Sequence, residues 1–338
     1  MEQVREELEE RGLEDMLETA EDFAANSEDF VVDPDHLDFD VDEELREPKL
    51  NFMNSKDGSI NNMPMSYFAL SQLCEKLKIP SGYVNRCIEE HPDLARENVS
   101  EWLGDYESPM FVRTTYSRVK AMLSTKYSPY DSNLVLSDIL QVMKDKPEYV
   151  VKGSYLSPDK LHVRMISDSP LDVHGEEEGD LFPGFIIDSS DVGKNSLSIS
   201  AFIYKQVCTN GLMLPAKTLG QVYRKTHMGI ATEDFRNNLI SAVSAIPEIL
   251  YDVTESIEET RSTEMPFDPD LDTAVDYVHG YMDVSKQESC KIVDVVRSGR
   301  YENNRWGFIN AVTEVAQDYS LDRRIELEKQ AGRMLVAA

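Results

Sequence analysis

Apolar positions along this chain change their spacing in a way that divides it. Between residues 66 and 103 they recur three and four apart, the period of helices: Phe68, Leu70, Leu73, Cys74 and Leu77 follow Ser66, a residue suited to cap a first turn. Ile79-Pro80-Ser81-Gly82 reads as a turn, 83–90 as a second helix ended by His91-Pro92, and 94–103 as a third. From residue 110 the spacing tightens to two. Segments 110–115 and 119–124 flank Tyr116-Ser117-Arg118 as a hairpin, and 149–156 and 160–166 flank Ser157-Pro158-Asp159 as another. A helix from about Asn133, as its cap, to Lys144 lies between them. The third hairpin has strands at 182–187 and 197–208, a turn at 191–195, and Thr209-Asn210-Gly211 closing it. Past residue 233 the helical period returns: one helix over 233–259, a break at Met265-Pro266-Phe267-Asp268-Pro269, then helices over 272–282, 285–297, 306–319 and 321–334.

This pattern predicts an α+β fold: mainly an antiparallel sheet of about six strands built from hairpins, with a small N-terminal helical unit and a C-terminal helical segment. Four regions are expected: 1–49, an acidic, partly disordered tail; 50–108, the helical unit; 109–232, the β core with one helix; and 233–338, helices packing on that core. Within the tail, 1–25 suits a short amphipathic helix. Residues 26–48 read as an acidic linker whose Phe30, Leu37, Phe39 and Val41 resemble a docking segment. The acidic stretch 168–180 reads as an exposed insertion.

Charge sharpens the picture. The 338 residues carry a formal net charge of -29, and residues 1–50 alone hold 20 Asp/Glu against 4 Lys/Arg. A surface this acidic disfavours non-specific binding to nucleic acid by the whole molecule. Yet from Val192 to Thr232 there is no Asp or Glu, while five Lys/Arg occur. No apolar run reaches the ~18 residues of a membrane span, and the acidic N-terminus does not read as a secretory signal, so a cytoplasmic protein is expected. Cys74, Cys87, Cys208 and Cys290 lack C-x-x-C spacing and suit buried, reduced thiols.

Catalytic signatures are weak. Gly193-Lys194-Asn195 lacks the first glycine and the Ser/Thr of a phosphate loop. The histidines never fall at metal-ligand spacing, so no metal, cofactor or catalytic residue is assigned. The turn between the helices at 66–90 resembles a helix-turn-helix, but the second helix closes on Glu89-Glu90, and a structural role is expected. Binding signatures are better. Arg113, Arg118, Lys120 and Lys126 run along the first hairpin with Tyr116, Tyr127 and Tyr130 among them. Lys194, Lys205, Arg224, Lys225 and His227 repeat the mixture along the third. Cations following phosphates and tyrosine faces stacking on bases are the physics of single-strand binding. Ordinary sheet-edge cations and core tyrosines are the competing reading.

The chain also resembles a phage/plasmid-like family of unknown function, a numbered domain of unknown function. The stretches that carry the likeness are LSQLCEKLKIPSGYVNRC with LARENVSEWL, VRTTYSRVKAMLSTKYSPYDSNLVL, SSDVGKNSLSISAFIYKQVCTNGL with RKTHMG, and RWGFINAVTEVAQ with LEKQAGRML. Arg118, Ser124, Tyr127, Gly193, Ser196, Cys208, Asn210, Gly211 and His227 are the positions expected to mark it. The resemblance implies a protein of a mobile element and no particular activity. The strand order is also loosely similar to phage single-strand annealing proteins, which form rings and hold a strand in a basic groove. Two functions follow as expectations. One is binding of nucleic acid, single-stranded DNA foremost, in replication, recombination or protection, with homo-oligomers in view. The other is a protein-binding accessory, such as a host-defence inhibitor or virion-associated protein, that docks a host or virus protein through residues 1–48.

Overall fold

The computed structural model describes residues 11–54, 58–171, 181–205, 210–213, 221–226, 232–265 and 270–336. The fold is α+β, with three antiparallel sheets. The first half of the chain differs most from expectation. After helix α1 (Leu13–Ala25) come β1 (Ser27–Val32), a short 3-10 turn (Pro34–His36), β2 (Leu37–Asp42), β3 (Glu47–Met53) and β4 (Ile60–Pro64). The acidic linker expected over 26–48 is therefore mostly strand. The physical reason is its alternation: Leu37, Phe39 and Val41 are buried, while Asp38, Asp40 and Asp42 point to the wetter face. The acids that suggested a linker form the solvated side of a sheet ordered β2-β3-β4. The first ten residues of the expected tail lie outside the described residues.

Helices α2 (Tyr67–Leu77), α3 (Ser81–Glu90) and α4 (Pro92–Gly104) follow. Ser66 caps α2 by accepting from the Ala69 amide at 3.0 Å. The hairpin β5 (Met110–Thr115) and β6 (Arg118–Ser124) does not join the later strands. Its outer partner is β1, giving a sheet ordered β1-β5-β6. Phe30, Leu50, Phe52, Leu70, Leu73, Val99, Val112 and Met122 then form one core shared by these two sheets and α2–α4. The sheet expected over 109–232 is thus divided, because β1 supplies the hairpin with a closer partner.

The second lobe contains α5 (Ser132–Met143) and a six-stranded sheet of β7 (Tyr149–Ser157), β8 (Lys160–Ser167), β9 (Leu181–Ser189), β10 (Leu197–Lys205), β11 (Asn210–Met213) and β12 (Gln221–Lys225). Strands β7 to β11 meander, and β11 and β12 share one edge of β10, on its second and first halves. Helices α6 (Thr232–Ser262), α7 (Leu271–Tyr281), α8 (Lys286–Arg297), α9 (Arg305–Ala316) and α10 (Leu321–Val336) complete the chain. Among the described cysteines, Cys74 and Cys87 are buried as expected, whereas Cys290 is exposed on α8. Cys208 and residues 172–180 lie outside the described residues.

The faces of the six-stranded sheet differ in chemistry. Leu161, Val163, Met165, Phe185, Ile187, Ile199 and Ile203 point into the main core with α5, α6 and α9. On the other face, Ile186, Phe202 and Tyr204 meet Leu321 and Ile325 of α10 beside a buried polar layer. There His162 Nδ1 lies 2.7 Å from Asp188 Oδ1, and Arg164 Nε donates to His162 Nε2 at 3.0 Å. Arg164 also donates to both carboxylate oxygens of Glu328 on α10, at 3.2 and 2.8 Å. The Arg164 bond fixes Nε2 as an acceptor, so the neutral ring donates from Nδ1. Burial holds the His162 pKa below its ordinary value, against the pull of Asp188.

Strands β8 and β9 approach closely at Gly184. A Cβ built there would sit 2.1 Å from the Met165 carbonyl oxygen. Gly184→Ala is therefore expected to lower stability by about 3 kcal/mol, read as a fall in the urea midpoint at unchanged slope.

Candidate functional site at the seam between the lobes

The turn expected at 191–195 is where the lobes meet. Gly193 adopts φ 80°, a left-handed conformation suited to glycine, and the Leu123 side chain packs against it. Gln72 of α2 donates to the Val192 carbonyl at 3.0 Å and accepts from the Met122 amide at 2.9 Å, tying α2, β6 and the turn together. Ser190 accepts from the amide of Lys194 at 2.9 Å and donates to the Asp159 carbonyl at 2.8 Å.

Beneath this turn Arg113 is almost wholly buried. It makes a bidentate pair with Asp131 at 2.7 and 2.6 Å, donates to the Asp191 carbonyl at 2.8 Å, and has Asp29 of β1 3.1 Å from its Nε. Burial opposes the charge on Arg113. The Asp131 bond, with Asp29 beside it, overrides that and raises its pKa. Asp131, not Asn133, is the residue that precedes α5 as its cap position, and its carboxylate is turned to Arg113. Tyr127 donates to the Asp191 carbonyl at 3.0 Å, and burial pushes its hydroxyl pKa up. Tyr130 is buried with its hydroxyl on Asp138, which also accepts from Arg236 of α6 at 3.0 Å.

These placements correct part of the expected site. Arg113 and Tyr130 cannot touch a strand, because burial and internal hydrogen bonds consume them, and Tyr127, half-buried, has its hydroxyl on the Asp191 carbonyl and its ring against Phe111. Tyr116 is half exposed, but its hydroxyl donates to Asp22 and its ring packs edge-on against Phe23 of α1. Lys205 sits at the far end of β10, over the Trp306 ring, and Lys225 pairs with Asp234 at 3.3 Å. Lys126 is exposed, beyond the end of β6. His227 lies outside the described residues.

The remaining cations converge. Lys120 of β6 and Lys194 of the turn grip the same carboxylate, Asp159, at 2.9 and 3.1 Å. Lys160 stands next to Asp159, with its ammonium on Asp322 at the start of α10. The three lysines, with Tyr155, Ser157 and Asn195, line a cleft of about 190 Å³. Lys194 and Lys120 are reachable from solvent, at 35% and 18% side-chain exposure, while Lys160 is 5% exposed. Arg118, two residues before Lys120 on β6, is tied to Glu47 of β3 and to the Met65 carbonyl. Arg224 reaches Ser196, next to Asn195, at 3.3 Å. Lys120, Lys194 and Arg224 thus form an arc along the seam. Three lysines against two aspartates leave the cleft one positive charge in excess, in a chain of formal net charge -29. Lys160, Asp159 and Asp322 were not legible as site residues; the only sequence signal was the Pro158-Asp159 turn itself. Among the described residues no group of three His, Cys, Asp or Glu could hold a metal ion, and no helix is long and apolar enough to cross a membrane.

No family model, curated protein or solved structure matches the chain.

The buried carboxyls make the seam sensitive to pH. Burial, reinforced by Asp131, raises the Asp191 pKa to about 7. Between the ordinary carboxylate pKa and that value, the folded chain holds a proton that the unfolded chain has released. Stability therefore falls as pH rises through this window. A shift of this size corresponds to about 4 kcal/mol, and partial solvent access to the Asp191 residue brings the expected loss nearer ~2 kcal/mol. Asp191→Asn keeps an acceptor for Ser132, whose amide and hydroxyl bind Asp191 Oδ1 at 3.0 and 2.8 Å. In urea denaturation the variant should exceed the wild type by about 2 kcal/mol at pH 8 and match it only below the ordinary carboxylate pKa, near pH ~3.5. An equal gain at both pH values would contradict this account.

Proposed function

We propose that this chain binds the phosphate backbone of a nucleic-acid strand along the seam, with Lys120 and Lys194 as the central contacts. The observation that carries the reading is the meeting of cations from separate elements, β6, the 191–195 turn and β12, on one arc. Asp159 acts as a stand-in anion: the two lysines that grip it are spaced to grip a phosphate oxygen pair, and the ligand displaces the carboxylate. Phe68 of α2, whose ring lies 5.0 Å from the Lys194 ammonium, and Tyr155, partly buried at the cleft, are the aromatic surfaces beside these cations and replace the tyrosines of the first hairpin as the stacking residues. Single-stranded DNA is the favoured form, because an arc of isolated cations suits a flexible strand better than a rigid duplex face. The role proposed for this binding is replication, recombination or protection within a mobile element.

The test is binding of a labelled single strand over a salt series. Up to three phosphate contacts should give a slope of log K against log salt of about -2. The charge-reversal pair Lys120→Glu and Lys194→Glu should flatten that slope by about 1.4 units and weaken binding at low salt at least ~10-fold. Lys205→Glu, at the far end of β10, should leave both unchanged. Absence of binding at low salt, or equal sensitivity to Lys205→Glu, would sink the proposal.

A further inference from the structure

A second surface, on the opposite chemistry, lies on the helical unit. Helix α4 presents Leu94, Asn98 and Trp102 at successive four-residue steps, so they form one ridge about 12 Å long. Tyr83 of α3 leans onto its middle, its hydroxyl accepting from the Asn98 side chain at 3.3 Å. Leu94, Tyr83 and Trp102 are exposed, Trp102 to 53%. Core packing does not explain them, because α4 meets its own core through Ala95, Val99 and Leu103. At the Leu94 end the ridge opens into a cleft of about 740 Å³ between Glu43, Arg46, Glu90 and His91.

The rim of this ridge is acidic along α4, while Arg46, without an ion pair among the described residues, lines the cleft beyond Leu94. Glu97 and Glu101 flank the ridge three residues on from Leu94 and Asn98, and Glu89 is the last residue but one of α3; among the described residues these three make no ion pair. The two arginines of α3 and α4 are already engaged. Arg86 pairs with Glu90 at 3.1 Å, and Arg96 turns back to Asp40 at 2.6 Å and Glu43 at 3.1 Å. An apolar ridge bounded by unpaired carboxylates complements one kind of occupant: a segment with apolar side chains on one face and Lys/Arg beside them.

We infer that the α3–α4 ridge is a docking site for a basic amphipathic peptide segment of a partner protein, anchored by Trp102 and Leu94 and steered by Glu97 and Glu101. The site is separate from the lysine arc, and its test does not depend on nucleic-acid binding. Trp102 supplies the readout. The chain has two tryptophans, and the other, Trp306, is 5% exposed. A change in the exposed component of the emission therefore reports on the ridge. The full chain is titrated with three probes: a Leu/Lys amphipathic helical peptide, its Leu/Glu counterpart, and oligolysine. The Leu/Lys peptide should shift the emission to the blue and saturate. The Leu/Glu peptide and oligolysine should leave it in place.

Charge reversal by Glu97→Lys with Glu101→Lys should weaken the Leu/Lys peptide about 10-fold. Both positions are exposed, so the fold is expected to hold, and an unchanged urea midpoint checks this. Trp102→Ala should abolish the shift and, by calorimetry, weaken binding of the same peptide by a similar factor. The inference is overturned if the Leu/Lys peptide causes no shift, if oligolysine binds as tightly by calorimetry, or if the double reversal binds as the wild type does. The last two outcomes would mean attraction by net charge alone.

Discussion

The buried guanidinium of Arg113 is the constraint on which the relation of the two lobes depends. It sits on β5, yet its partners come from β1, from the residue before α5 and from the turn after β9. A charge taken this far out of water is tolerated only if every neighbour that neutralises it is in place. The hairpin of the first lobe, the first helix of the second and the 191–195 turn are therefore held to a common geometry. Gln72, Ser190 and Tyr127 add hydrogen bonds to the same turn, so its backbone has little freedom left. The lysine cleft stands on the outer side of this fixed frame. Its geometry is set by groups that lie beneath it.

Buried polarity recurs on the sheet of the second lobe. One face packs against helices through Val163, Phe185 and Ile199, as a half-buried sheet should. The other carries His162, Arg164 and Asp188 against α10. An apolar isostere of this layer would pack as well. The charged version fixes one orientation of α10, because only one rotation of that helix brings Glu328 to Arg164 and Asp322 to Lys160.

The hydrophobic period made most elements legible. The three hairpin turns, the Ser66 cap, and the helices after residue 232 all fall within a few residues of their expected positions, because local spacing and turn chemistry decide them. Two things were hidden. Residues 37–42 alternate as a strand should, but their dense acids resemble a linker, and only pairing with β3 shows where they belong. The surroundings of the cations were hidden for a related reason. Arg113 and Arg118 look like free cations in a window of sequence, yet acids that neutralise them stand far away: Asp29 is 84 residues from Arg113, and Glu47 is 71 from Arg118. The same distance hid the lysine cleft, since Lys120 and Lys194 share a carboxylate that belongs to neither of their hairpins.

The pairing of Arg164 with Glu328 spans 164 residues, with the sheet on one side and the last helix on the other. During synthesis the six strands emerge well before α10. Until it arrives, Arg164 and the His162–Asp188 pair lack their cover, and Ile186 and Phe202 lack Leu321 and Ile325. The sheet is then a surface with one apolar patch and an unneutralised cation, open to wrong partners. Closure of that face is a long-range event, because Arg164 and Glu328 lie 164 residues apart in the chain.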